Sequence, residues 1–250
     1  MENIWETRRM KNGGGTVMEE RCQRCGAALT GGNSEEGDLT LCVKCEERYL
    51  AAKQSLQSEF VGVAKIEKGM TTILEGLHDA FGLDLEDVNF KDTPRRVARA
   101  YAEIFRGVKD TDKQVQRILG TSFPAEVKEM IVVKDVKAFS MCPHHFLPVE
   151  YDITVAYISN GKVLGISKLS RLAEVLAKRP VLQETFTEEI AEELFKGVEA
   201  LGVGVWVEGT HYCMKMRGAK QVQAKTVTSA IRGCFEEPEV QAEFLSLTKG

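Results

Sequence analysis

Apolar residues along the chain change their spacing twice, and each change marks a different kind of element. Across residues 60–80 they fall at Val63, Ile66, Met70, Ile73, Leu74 and Leu77, with Phe81 just beyond. This is the three-and-four spacing of one helix face, so an amphipathic helix is expected there. A second helix is expected after Thr93-Pro94, a capping residue type followed by a proline suited to a first turn, with Gly107 as its C-terminal stop. Beyond Glu129 the period shortens. Residues 130–136 and 153–158 are rich in β-branched side chains and read as strands, the second mostly buried. Helical spacing returns over 167–178 and 185–201, the latter with an imperfect capping box at 187–190. Residues 203–208 and 224–229 read as strands again. Helices and antiparallel strands in this order predict an α+β domain.

The stretch to residue 56 differs in character. It carries Gly13-Gly14-Gly15, a polar run over 30–38 and four of the seven cysteines, with too few apolar residues for a core of its own. Cys22-x-x-Cys25 and Cys42-x-x-Cys45 form two knuckles separated by residues 26–41, a spacing typical of a four-cysteine zinc site. Each short turn directs two thiolates to one point, and two such turns complete a tetrahedron. Metal binding would then supply much of the segment's folding free energy. A redox pair or a set of surface thiols is the alternative. Arg21, Arg24 and Lys44 are offset by Glu19, Glu20, Glu35, Glu36, Asp38, Glu46 and Glu47. That balance disfavours a phosphate-binding face, so assembly or stabilisation of the N-terminal region is the expected role.

Composition narrows the picture further. The chain has 250 residues, 43% hydrophobic and 28% charged, with a formal charge of -4. Such a balance fits a globular protein with one large core and a small appendage, and offers no general basic field for nucleic acid or anionic membrane. No apolar run approaches the roughly 20 residues that span a bilayer, and residues 1–15 lack the pattern of a secretion signal. A cytoplasmic location is therefore expected, where cysteines serve as ligands, reactive thiols or core residues rather than disulfides.

Three of the four histidines lie in two short clusters that also hold cysteine, Cys142-Pro143-His144-His145 and His211-Tyr212-Cys213. In a turn, Cys142 and His145 can face one metal while His144 points elsewhere. On a strand, the spacing of His211 and Cys213 puts both on one side. Three ligands, Cys142, His145 and Cys213, would leave a fourth position open for water, as in catalytic zinc sites, where bound water acquires a pKa of about 7. His144 and His211 would be free to move protons beside the metal. A second structural site using four of these residues is the alternative, and composition alone leaves both open. His78 reads as a helix residue and Cys234 as a core thiol.

With these residues in view, the chain from about Phe60 onward resembles the zinc-dependent (type IA) GTP cyclohydrolase I family. The resemblance covers roughly three quarters of the sequence and rests on several separate motifs in the family's order and spacing. They are Asp92-Thr93-Pro94-Arg95-Arg96-Val97-Ala98, Met141-Cys142-Pro143-His144-His145, Val155-Ala156-Tyr157-Ile158, Gly165-Ile166-Ser167-Lys168-Leu169-Ser170-Arg171, Arg179-Pro180-Val181-Leu182-Gln183-Glu184 and His211-Tyr212-Cys213-Met214-Lys215-Met216-Arg217-Gly218.

The resemblance implies that Cys142, His145 and Cys213 hold a catalytic Zn2+, and that His144 and His211 handle protons, with Ser167 supporting His211. It implies Glu184, with Gln183 beside it, as the guanine anchor, because a carboxylate accepts from both N1-H and the exocyclic amine. Lys168, Arg171, Arg217 and Arg96 would bind the triphosphate. Read alone, Lys168 and Arg171 suit a solvated helix face, Arg95, Arg96 and Arg99 an exposed stripe, and Glu184 a helix start; strand propensity accounts for Thr226 and Thr228.

The implied reaction is attack of zinc-bound hydroxide on C8 of GTP, purine ring opening, release of formate, Amadori rearrangement of the ribose and closure to 7,8-dihydroneopterin triphosphate. The implied fold is the tunnelling fold, an antiparallel four-stranded sheet with paired helices. The implied assembly is a homodecamer of two pentamers with active sites between subunits. Domains are expected at 1–56, the zinc-ribbon-like extension, and 57–250, with a helical part over 57–120 and the catalytic part over 121–250. Pro143, Tyr151-Asp152 and Val181 depart from the family's common residues without removing a ligand or base. Two rivals differ in class: a related tunnelling-fold enzyme on another purine or pterin, or one stopping at a formyl intermediate, and a non-catalytic zinc-binding regulatory protein. Which pathway the pterin feeds, folate, biopterin-like or deazapurine, is left open by the sequence.

Overall fold

A computed structural model of the protein describes residue 25 and residues 43–249. Two compact units divide at Pro94/Arg95. In the first, α1 (Val43–Phe81) is one helix of 39 residues. The expected helix is only its C-terminal half. The earlier residues, though polar, are mostly good helix formers with no glycine or proline, and polarity alone does not stop a helix. Of the expected apolar face Leu74 is buried, whereas Ile73, Leu77 and Phe81 are exposed. Gly82, at φ 73°, closes the helix by donating its N–H to the His78 carbonyl at 2.8 Å, the left-handed stop that glycine favours. His78 itself lies in the last turn, its Nδ1 2.7 Å from the Leu83 carbonyl. Cys45 is buried in the first turn of α1 and Cys25 is exposed. Cys22, Cys42, the glycine triplet and the polar run lie outside the described residues.

In the second unit the elements after α2 (Thr93–Ile104) run α3 (Gly107–Leu119), β1 (Ser122–Pro124), β2 (Met130–Met141), β3 (Pro148–Ile158) and β4 (Lys162–Leu164). They continue with α4 (Ser167–Ala177), α5 (Gln183–Gly197), β5 (Gly202–His211), α6 (Tyr212–Lys215), β6 (Thr226–Gly233) and α7 (Pro238–Lys249). Thr93-Pro94 opens α2 as expected. Gly107 starts a helix rather than ending one. Its N–H donates to the Lys178 carbonyl at 3.0 Å, and a Cβ there would lie 2.6 Å from that oxygen. The glycine serves a close backbone approach.

Four strands form one antiparallel sheet in the order β2-β3-β5-β6, and β1 pairs with β4. A bulge between Val133 and Val136 carries Asp135 at φ 58°. The α4 and α5 helices pack on one face of the sheet, with α3 against them, burying Tyr151, Ile153, Val155 and Tyr157 of β3 with Leu172, Phe186, Ile190 and Leu194. Alternation along β3 turns Ala156 to the opposite face, where Phe235 and Phe244 meet edge-on at 5.5 Å. Both faces of β3 are therefore covered, matching its expected burial. The α7 helix, which brings Phe244, is not among the expected elements, because its few apolar residues give only a weak helical stripe. Among the described residues no helix is long and apolar enough to cross a membrane.

Candidate active site

Antiparallel pairing brings the two cysteine–histidine clusters together. The β2–β3 hairpin turns over residues 142–147, closed by Cys142 N–H to the Leu147 carbonyl and Phe146 N–H to the Cys142 carbonyl, both 2.9 Å. Val149, just past that turn, lies opposite His211 at the end of β5. Thr226, which starts β6, pairs with Gly209, and α5 begins at Gln183 beside them. A pocket of about 220 Å³ opens there, walled by Cys142, His144 and His145 from the hairpin, Gln183 and Glu184 from α5, and His211, Cys213 and Thr226.

Cys142, His145 and Cys213 place one ligand atom each within 4.8 Å of one another. The two sulfurs are 3.8 Å apart, and Cys142 Sγ lies 3.9 Å from His145 Nδ1. Bonds of about 2.3 Å at tetrahedral angles set sulfurs roughly 3.8 Å apart, so the donor set fits a tetrahedral ion with thiolate and imidazole ligands. Burial, then the neighbouring Cys142, pushes the Cys213 thiol up; a bound cation would reverse that balance.

One expectation about this cluster needs correction. β5 ends at His211 and α6 begins at Tyr212, so a helical turn, not strand alternation, brings Cys213 to Cys142. His144 Nδ1 also lies 3.9 Å from Cys142 Sγ, but His144 is not among the three residues whose ligand atoms converge.

Beneath the pocket Gln183 is buried. Its Nε2 donates toward the Val207 carbonyl at 3.1 Å, the Thr226 carbonyl at 2.9 Å and Thr228 Oγ1 at 3.1 Å. Its Oε1 lies 2.8 Å from His211 Nε2. Thr228 also meets Thr187 Oγ1 at 2.6 Å, so Thr228 does more than strand propensity requires. Burial lowers the His211 pKa, and the charge of Glu184 opposes that shift. Tyr151 stacks on Phe186 at 4.6 Å and meets His211 edge-on at 6.5 Å; burial raises its phenol far above the usual range, so it stays neutral. Sequence reasoning noted Tyr151 only as a departure and missed Gly209. The one signal for Gly209 was a glycine inside a strand.

The other predicted residues lie farther out. Glu184 is exposed at the pocket wall. Arg217 Nη1 sits 2.9 Å from His145 Nε2. Lys168 Nζ donates to the Ile118 carbonyl at 2.6 Å and the Thr121 carbonyl at 2.7 Å, closing the end of α3. Ser167, Arg171 and Arg96 are exposed and outside the pocket lining.

A Cys-His-Cys donor set with further histidines beside it, in a pocket at the end of an antiparallel sheet, defines an α+β protein whose pocket carries the ligands for a metal ion. The sequence comparisons make this specific. The family described as GTP cyclohydrolase I matches residues 66–249. A GTP cyclohydrolase 1 from Thermoanaerobacter pseudethanolicus is 46% identical over 185 residues, 73% of this chain and 95% of that protein. Those from Pelotomaculum thermopropionicum and Geobacillus kaustophilus are 46% and 44% identical, with 74% and 76% of this chain and 96% and 98% of theirs covered. This chain belongs to the GTP cyclohydrolase I family and is a hydrolase with that family's activity. The four-cysteine segment lies outside the matched residues.

Proposed function

We propose that the chain converts GTP to 7,8-dihydroneopterin triphosphate and formate at this pocket. The convergence of Cys142, His145 and Cys213 beside His211 and Glu184 carries the reading. Those three residues would hold a zinc ion, which when bound supplies an activated water for hydrolysis at C8. Glu184, exposed at the wall, accepts hydrogen bonds from the guanine edge, and an adenine base would leave that carboxylate unsatisfied. His144 and His211 flank the donor set and exchange protons with the opening purine and the rearranging ribose. Arg217 carries only donors, whereas a metal-bound imidazole ordinarily donates its second N–H. Arg217 therefore leaves His145 in the loaded site and becomes available to a phosphate.

Several finer readings belong to the same proposal. The sheet is a tunnelling fold, divided as 57–120 and 121–250 after an extension over 1–56. Cys22, Cys25, Cys42 and Cys45 bind a structural zinc. Ten copies assemble as two pentamers in the cytoplasm, with Ser167, Lys168, Arg171 and Arg96 completing sites between subunits. The small pocket and the position of these four outside it support a shared site, since pockets for small ligands usually measure about 300–1,000 Å³.

Incubation of zinc-loaded protein with GTP tests the proposal, following formate and the fluorescence of the oxidised pterin. Both products are expected from the wild type and neither from Cys213→Ser. Formate without pterin would point to a reaction stopping at an earlier intermediate; neither product, with zinc bound, would overturn the assignment.

A further inference from the structure

Gln183 was expected beside the guanine anchor, yet every polar atom of its side chain is engaged inside the protein, and the direction of each hydrogen bond can be worked out. Thr187 Oγ1 donates to the Gln183 main-chain carbonyl at 2.8 Å, so its only proton is used. At the 2.6 Å contact between Thr187 and Thr228 the proton must then come from Thr228. That leaves Thr228 Oγ1 an acceptor toward Gln183. Two main-chain carbonyls, of Val207 and Thr226, face the same side-chain atom. Three acceptors around one position require the NH2 there, which turns the amide oxygen to His211. An amide oxygen only accepts, so at the 2.8 Å contact His211 Nε2 carries the hydrogen.

Gly209 makes the arrangement possible. A Cβ at 209 would lie 2.0 Å from Gln183 Oε1 and 3.1 Å from His211 Nε2, so no other residue leaves room for the amide.

We infer that Gln183 is a positioning residue: anchored by Val207, Thr226 and Thr228 and admitted by Gly209, it holds His211 in one orientation as the Nε2–H tautomer. Nδ1 is thereby the nitrogen with the lone pair. The inference rests on the reading of His211 as a proton-handling residue and removes Gln183 from the groups that read the base.

The test uses the zinc-loaded full chain. Long-range 1H–15N correlations of the histidine rings, assigned with a His211→Asn variant and recorded without GTP, report the tautomer directly. The Nε2–H pattern is expected in the wild type, and a mixture of tautomers in Gln183→Ala and Thr228→Val, with Thr228→Ser restoring a single form. In turnover assays Gln183→Ala and Thr228→Val should lower kcat about 10- to 100-fold while KM for GTP moves less than about twofold, and Thr228→Ser should recover most of the rate. If the Gln183→Ala fold proves too weak, Thr228→Val and Thr228→Ser carry the test. An Nδ1–H tautomer in the wild type would overturn the inference. So would a Gln183→Ala variant with raised KM, unchanged kcat and altered preference between GTP and inosine triphosphate, the signature of base reading. A wild type without GTP turnover but with the Nε2–H pattern would overturn the proposed reaction and still support the Gln183 frame.

Discussion

Gln183 and Glu184 are consecutive, yet they belong to opposite environments. Gln183 is 2% exposed, with its amide tied to the sheet, while Glu184 stands open at the pocket wall. The contrast extends to their surroundings. On the buried side, Tyr151, Phe186, Thr187 and Thr228 are locked by packing and hydrogen bonds. On the open side, Arg217 is exposed, with its Nη1 2.9 Å from His145 Nε2. Packing and hydrogen bonds within the fold set the geometry on the inner side, whereas Glu184 faces solvent on the outer one.

Four substitutions test how far that contrast holds. The largest effect is expected from Cys213→Ser, which should remove metal from the pocket and bring pterin formation to background, read by metal analysis beside the fluorescence assay. Retained zinc and activity would show that Cys213 is not a ligand. Next comes Glu184→Gln, which should lower kcat/KM for GTP about 100-fold, equivalent to roughly 2.7 kcal/mol and within the range for hydrogen bonds to a charged group. An unchanged kcat/KM would move guanine recognition away from the wall. Arg217→Ala should raise KM for GTP about 10-fold, an exposed contact being weaker than the base anchor. A fall in kcat with KM constant would place Arg217 with the inner group instead. The smallest change is expected from Lys168→Ala. Loss of the ammonium from the Ile118 and Thr121 carbonyls should cost about 1 kcal/mol in a urea titration. No loss of stability would free Lys168 from its capping role and leave it to the phosphates alone.

Much of the scaffold was legible in spacing. The strand run at 153–158, the helices after Ser167 and near Thr185, and the helix after Thr93-Pro94 all occur, because each carries its own periodicity or start signal. The donor set was readable too, since cysteine and histidine concentrate in two short clusters. Less legible was anything decided by a distant partner. Gly107 resembles a helix stop, but the carbonyl of Lys178 makes it a point of close approach. Thr228 resembles an ordinary strand threonine until Thr187 and Gln183 are brought against it. Lys168 looks like a ligand of phosphate, and only the end of α3 gives it a second occupation. Tyr151 was visible as an unusual residue, but its stacking on Phe186 beneath His211 requires the packed sheet.

The order of the two residues that begin α5 also bears on how the chain reaches its native pairing. Were the helix to dock one position out of step, the carboxylate of Glu184 would enter the space among the Val207 carbonyl, the Thr226 carbonyl and Thr228 Oγ1, a site lined with acceptors. An ionised group buried without donors is penalised by several kcal/mol. A helix docked one residue out of register is therefore disfavoured, and the amide-then-acid order specifies the register of α5 on its sheet.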